Sequence, residues 1–465
     1  MEFIENSRCK KYKKRLRKSE ILSRHLSGTE EKSILEQTGS YVLAPALNSF
    51  VIWLLQDALA RGIQRLYFLA RDGYFMYRTA EIFCRKFQLP VECRYLYCSR
   101  YSLRVPMYHL DMDDAMEYIC RGGIDVTMQK LLKRSGISKE EQEETLKILN
   151  LSFPARQSIP YAKLPEIRKK LEECRFFTNC VYRHSHEELP NLRGYLSQEG
   201  LFDEVPKAIV DSGWTGSTQK DLQRLLSYFG KEECGKTDFA KPENKETGLL
   251  EGYYWGLYEL PPDVKKEQYH CYYFQPRRTL REKVHFSNCL FETIYSAPHG
   301  MTVGYAFSDK KYVPIFAPYD KGRKHFMESL EQLFAAYAAR LADSMESIGD
   351  VDCAKDRKVI RKLLKMFMGK PAPEEAELFG RLEFSDDVLE DDKQQVAVYL
   401  NEAELKANHA ANKALVMLGL KQEYIKESAW YEGSAVRYGK HVRWHLVWYR
   451  AYKYLLYLRQ MYWKR

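Results

Sequence analysis

Residues 61–75 read RGIQRLYFLARDGYF, and the reading of this stretch decides the fold. Leu66 to Ala70 is a short apolar and aromatic run, with the length and composition of a fully buried strand. It stops at Arg71-Asp72-Gly73, and a helical pattern runs from Tyr74 through Phe83. A buried strand that delivers an arginine and a carboxylate into a glycine turn ahead of a helix is how open α/β sheets build sites at their carboxyl edge. A plainer reading is local: Asp72 caps the helix and Gly73 relaxes the turn.

Working outward, residues 41–61 (YVLAPALNSFVIWLLQDALAR) are apolar at helical spacing, with Pro45 near the start where proline is tolerated. This helix is expected to pack beside the strand. After Pro90, ECRYLYCS (92–99) reads as a second strand ending in Ser99-Arg100, which completes a βαβ unit. Residues 111–200 carry charged helical periodicity and read as a helical insertion. Lys207 to Val210 (KAIV) then reads as a third strand, followed by Asp211-Ser212-Gly213-Trp214-Thr215-Gly216-Ser217-Thr218 and a helix to about Phe229.

Residues 231–248 read as a polar exposed loop. Strands follow at 252–260 and 268–275, a short buried helix at 286–296 and a hairpin over 302–316. From 320 onward the periodicity is helical, in segments near 320–347, 354–368, 372–382, 395–418 and 439–462. The expected architecture is a Rossmann-like, mostly parallel sheet over 41–317 with its insertion at 111–200. A basic lead-in (1–40) precedes it and an α-helical domain (318–465) follows.

The second stretch with chemistry is IVDSGWTGSTQKDL (209–222). Acid, glycine-rich turn and helix start follow a buried strand at once. Gly213, Thr215, Gly216, Ser217 and Thr218 could turn amides and hydroxyls toward a phosphate at a helix N-terminus. The stretch is neither GxxxxGK[ST] nor GxGxxG, so an ordinary capped helix is the competing reading. If both strands are central and parallel, Arg71, Asp72 and Asp211 share one rim, with Ser99 and Arg100 able to join them. The arginines suit a phosphate or carboxylate, and each could equally serve a structural ion pair.

Asp72 and Asp211 are also the candidates for a divalent metal such as Mg²⁺. Glu292 lies on an apolar helical face before His299 and could act as a general acid or base. The competing reading pairs Glu292 with an arginine and leaves His299 in an exposed turn. GxSxG, HExxH and the phosphatase signature DxDx[TV] are all absent.

The chain has 465 residues and a formal net charge of +10, with basic excess in RCKKYKKRLRK (8–18) and after Glu432, beyond which no Asp or Glu occurs. Such ends suit an acidic partner such as anionic lipid, nucleic acid or an anionic polymer, or simply aid solubility. Eleven cysteines lie scattered without a CxxC pair, as in a reduced cytoplasmic protein. No apolar signal-peptide core and no charge-free run of about 18 apolar residues stands out, so neither a leader nor a spanning helix is expected. In the last segment Trp444, Trp448, Leu455, Leu458 and Tyr462 fall on one helical stripe, with Arg443, Arg450 and Lys453 on the other side. That stripe either docks on the protein's own helices or rests on an anionic membrane surface through 439–465.

Together LAPALNSFVIWLLQDA (43–58), LYFLARDGYF (66–75), YLYCSRYSL (95–103), VDSGWTGSTQ (210–219) and FETIYSAPHG (291–300) carry a resemblance over roughly residues 40–310. The chain resembles bacterial proteins labelled haloacid-dehalogenase (HAD)-superfamily hydrolases that accompany glycosyltransferases in surface-polysaccharide clusters. In longer members a dehalogenase-type domain with its own aspartate motif precedes the ARDG region, and this chain is similar to the second part. It departs from the phosphatase pattern at Tyr74, which stands where an aspartate two residues beyond Asp72 would be. A weaker likeness links IVDSGWTGST to the phosphoribosyltransferase pattern, with Ser212 in place of the second acid.

The resemblance implies a cytoplasmic transferase or phosphohydrolase acting on a phosphorylated sugar or nucleotide-sugar, working at the inner membrane face. Its rival is a non-catalytic module that recruits glycosyltransferases there. Specific nucleic-acid binding is not expected.

Overall fold

A computed structural model of the chain describes residues 7–24, 33–122, 126–151, 153–233, 250–385, 393–417 and 425–462. The connection read at 231–248 lies almost wholly outside these residues.

Five strands form one all-parallel sheet: β1 (Arg65–Leu69), β2 (Glu92–Leu96), β3 (Lys207–Trp214), β4 (Glu251–Leu257) and β5 (Tyr269–Phe274). Their order is β2-β1-β3-β4-β5. The chain leaves β1 for one neighbour and then returns to pair β3 on its other side, with Phe68 beside both Tyr95 and Val210. The order therefore reverses at β1 and β3, the switch point where open α/β sheets bind ligands outside the strands' carboxyl ends. The α/β fold expected from the sequence is the fold observed.

Alternation along β1 explains why both sheet faces are covered. Leu66 and Phe68 join a core built with helix Ala44–Ala60, while Tyr67 and Leu69 face Leu222 and Leu225 of helix Ser217–Glu233. Parallel strands need such two-sided burial because their crossovers place helices on each face. The C-terminal helices divide between two cores: Leu400, Leu405, Tyr431, Ala435 and Leu446 form a small cluster of their own, while other residues join the core of the sheet. Leu330, Phe334, Leu363, Phe367 and Trp430 belong to the same cluster as Leu66 and Phe68. Within 111–200, helices Met112–Ile119, Met128–Arg134, Lys139–Leu149, Leu164–Glu173 and Arg175–Gln198 gather largely around a second core that includes Leu131, Ile167 and Phe177.

Some expectations need correction. The third strand does not stop at Val210 but continues through Trp214. The helix expected over 395–418 is broken into Glu402–Ala407 and Ala410–Met417, preceded by a two-residue strand at Gln394–Gln395. Among the described residues one helical stretch, Ile34–Ala60, is long and apolar enough to cross a membrane, although most of its apolar window is buried inside the protein. The expected hairpin is present as β6 (Thr302–Ser308) and β7 (Lys311–Phe316).

Candidate functional site

The turn after β1 is set by one glycine. The Gly73 amide donates back to the Leu69 carbonyl at 2.9 Å, and a Cβ on Gly73 would lie 2.6 Å from that oxygen. No side chain fits there, so the chain folds sharply and holds Asp72 at the rim. On the neighbouring strand Asp211 pairs with Tyr254, Gly213 with Gly256 and Trp214 with Leu257. Gly213 has φ +132°, and a Cβ on it would stand 2.0 Å from the Gly256 carbonyl oxygen, so a glycine is required for this close approach too.

The two turns are joined directly. The Ser212 hydroxyl donates to Oδ2 of Asp72, and the Ser212 amide donates to Oδ1 of Asp211 at 2.8 Å. The third acid comes from helix Asn288–Tyr295, where Glu292 accepts a hydrogen bond from the indole N–H of Trp214. Burial raises the Asp72 pKa despite opposition from the Ser212 hydroxyl, Arg71, Arg100 and Arg323. Burial, and then the charge of Asp72, pushes Asp211 up to about 7. Glu292 is pushed up to about 8, first by burial and then by Asp72. Three neighbouring carboxyls thus cannot all ionise cheaply at neutral pH.

Arg71 and Arg100 act on this group electrostatically, Arg71 on Asp72. Arg100 is exposed on the first turn of helix Arg100–Arg104 and favours the ionised form of all three carboxyls. Arg323 was not anticipated. It enters from helix Lys321–Asp343, acts on Asp72, and has a buried Nε without a hydrogen-bond partner. No local motif announces it.

Other candidates are placed differently. The Ser99 hydroxyl donates to the Thr302 carbonyl at 2.7 Å and accepts from the Ser102 amide, so it caps a helix and ties down β6. Gly213 and Trp214 are strand residues, leaving Thr215 and Gly216 as the turn before Ser217 and Thr218 open the helix. The Thr215 hydroxyl donates to Ser217 Oγ at 3.3 Å, and a Cβ on Gly216 (φ +65°) would meet the Tyr269 ring. The Ser212 and Gly213 amides serve the Asp211 carboxylate.

His299 is half-buried and not an exposed turn residue. Its Nδ1–H donates to the Gly300 carbonyl at 2.8 Å, which leaves Nε2 to accept from the Tyr95 hydroxyl at 2.8 Å. Burial lowers its pKa, consistent with that neutral tautomer. Glu292 binds an indole and is not paired with an arginine by a direct hydrogen bond among the described contacts.

The phosphatase signature fails in either register. Tyr74 stands two residues after Asp72, and Ala70 stands two residues before it. The second acid is instead supplied by β3. Among the described residues no three His, Cys, Asp or Glu side chains gather closely enough to ligate one ion. Asp72 and Asp211 nonetheless have the donor chemistry of a hard cation, and Mg²⁺ commonly uses one or two carboxylates with water and phosphate oxygens. No family model matches the chain, and no curated protein matches it.

Proposed function

We propose that the protein is an enzyme acting on a phosphorylated sugar or nucleotide-sugar, as a phosphohydrolase or transferase in surface-polysaccharide assembly. The observation that carries this reading is the set of three carboxyls with raised pKa at the sheet's switch point, faced by Arg71, Arg100 and Arg323. Perturbed titratable groups gathered at such a place are the mark of a reaction centre.

Asp211, near pKa 7, takes the proton from an attacking water or acceptor hydroxyl. Glu292, near pKa 8, keeps its proton at neutral pH and gives it to the departing oxygen. The arginines neutralise charge that builds on the phosphoryl oxygens. A divalent ion held by Asp72 and Asp211 would supply further charge neutralisation. Neither register of the aspartate signature is complete at this turn, so the chemistry assigned here is direct displacement and not attack by an aspartate of an ARDG pair.

The test is a thermal-shift screen of the full chain with sugar phosphates, nucleotide-sugars and Mg²⁺, followed by phosphate-release and glycosyl-transfer assays on whatever binds. Asp211→Asn should abolish turnover without lowering the melting temperature. Turnover at the wild-type rate in that variant would refute the mechanism.

The non-catalytic alternative, a module that recruits glycosyltransferases, draws support from the internal hydrogen bonds already made by Asp72 and Glu292. It predicts no ligand-induced shift anywhere in the screen. Both readings place the protein in the cytoplasm.

A further inference from the structure

Helix Val442–Tyr462 is anchored to the protein mainly by one of its faces. On that face Tyr449 stacks on Tyr431 at 3.9 Å and Tyr457 on Tyr258 at 5.3 Å. Two of its basic residues are consumed there. Lys453 donates to the Phe286 carbonyl at 2.9 Å and lies 3.6 Å from Glu432, while Arg450 donates to the Gly369 carbonyl. His445 and Leu446 are buried beside them. The stripe found in the sequence docks on the protein's own helices only at its start, where His409 packs edge-on against Trp444 at 4.7 Å and lies 6.4 Å from the Trp448 ring.

The opposite face is open. Trp444, Val447, Trp448, Tyr454, Leu455, Leu458 and Tyr462 are all exposed, with Val447 at 61 %, Leu455 at 59 % and Tyr462 at 73 %. At 100° per residue these side chains occupy a continuous arc of about 120°. Arg443 bounds the arc on one side and Arg459 on the other, and both are exposed. From Gly433 to Arg465 there is no Asp or Glu.

We propose that this face is a membrane-docking surface that lies flat on an anionic lipid bilayer. Its apolar arc enters the headgroup–acyl boundary while Arg443 and Arg459 meet lipid phosphates. Tryptophan and tyrosine favour that boundary, and basic residues flanking an apolar arc favour anionic headgroups. Charge complementarity selects this occupant over a second copy of the chain. A two-fold contact through the arc would bring arginine rims together, and the helix carries no acid to neutralise them. The anchored face stays in place, so docking requires no unfolding. The surface stands whether or not the carboxylate site acts on phosphate.

Co-sedimentation of the full chain with vesicles tests the proposal, using phosphatidylcholine alone and phosphatidylcholine mixed with phosphatidylglycerol. The chain should pellet with the mixed vesicles at low salt and release at high salt. Val447→Ser with Leu455→Ser changes only outward side chains, and should abolish pelleting with an unchanged melting temperature. Arg443→Glu with Arg459→Glu should weaken binding to the anionic vesicles by at least about tenfold. The proposal is overturned if the wild-type chain stays in the supernatant with both vesicle types, or if the Ser variant pellets like wild type. Sedimentation velocity showing a dimer that the Ser variant dissociates would overturn it in favour of a second copy.

Discussion

Replacing Asp211 with asparagine should stabilise the protein increasingly as pH rises from 3.8 to about 7, with the full effect above neutral pH. Folding raises the Asp211 pKa from 3.8 to about 7, chiefly by burial and secondly by the charge of Asp72. Between these two values the native state holds a proton that the unfolded chain has released. Stability therefore falls as pH rises through that window, and the whole penalty is present above pH 7. At about 1.4 kcal/mol per pH unit the ceiling is roughly 4 kcal/mol. Asp211 is partly exposed, and solvent screening brings the expected effect nearer to about 2 kcal/mol.

Asparagine is nearly isosteric, keeps an oxygen for the Ser212 amide, and removes the charge that repels Asp72 and Glu292. Thermal melts of both proteins should coincide near pH 4 and diverge steadily above pH 5. At pH 8.5 the variant should melt higher by about 2 °C, since an unfolding entropy of about 2.1 cal/mol/K per residue makes each kcal/mol worth about 1 °C in a chain of 465 residues. A melting difference independent of pH, or a variant less stable than wild type at pH 8.5, would refute the electrostatic account.

Two further outcomes follow from the same contacts. If Asp211 must be ionised and Glu292 protonated, kcat/KM should form a bell with limbs near 7 and near 8, and Glu292→Gln should lose most of the rate; a flat pH–rate profile would remove both residues from the proposed roles. Arg104 grips the buried Asp221 with two hydrogen bonds of 2.8 and 3.0 Å, so Arg104→Ala should cost about 3–5 kcal/mol by urea unfolding, with recovery when Asp221→Asn is added.

Much of this arrangement was legible along the chain because it is written in local chemistry. Apolar runs of strand length ending in polar residues marked β1 and β2, helical periodicity marked the insertion, and Asp72 and Asp211 stood out by following buried strands. Gly73 is required by its own turn, a contact within five residues, which is why its reading survived unchanged.

Other features depended on contacts that no local pattern carries. The extension of β3 through Trp214 depends on β4 pairing beside it, and Gly213 is needed because the Gly256 carbonyl stands 2.0 Å from where its Cβ would be. Ser99 looked available until Thr302 was brought against it, and Arg323 reaches Asp72 only because a distant helix packs near the sheet edge. The stripe on the last helix was visible as periodicity, but a sequence repeats the same way whichever face is covered. Only tertiary packing decided that Lys453 and Arg450 turn inward to backbone carbonyls while Val447, Leu455 and Tyr462 remain in solvent. Periodicity records which side chains share a face, and burial depends on what the rest of the chain has to lay against it.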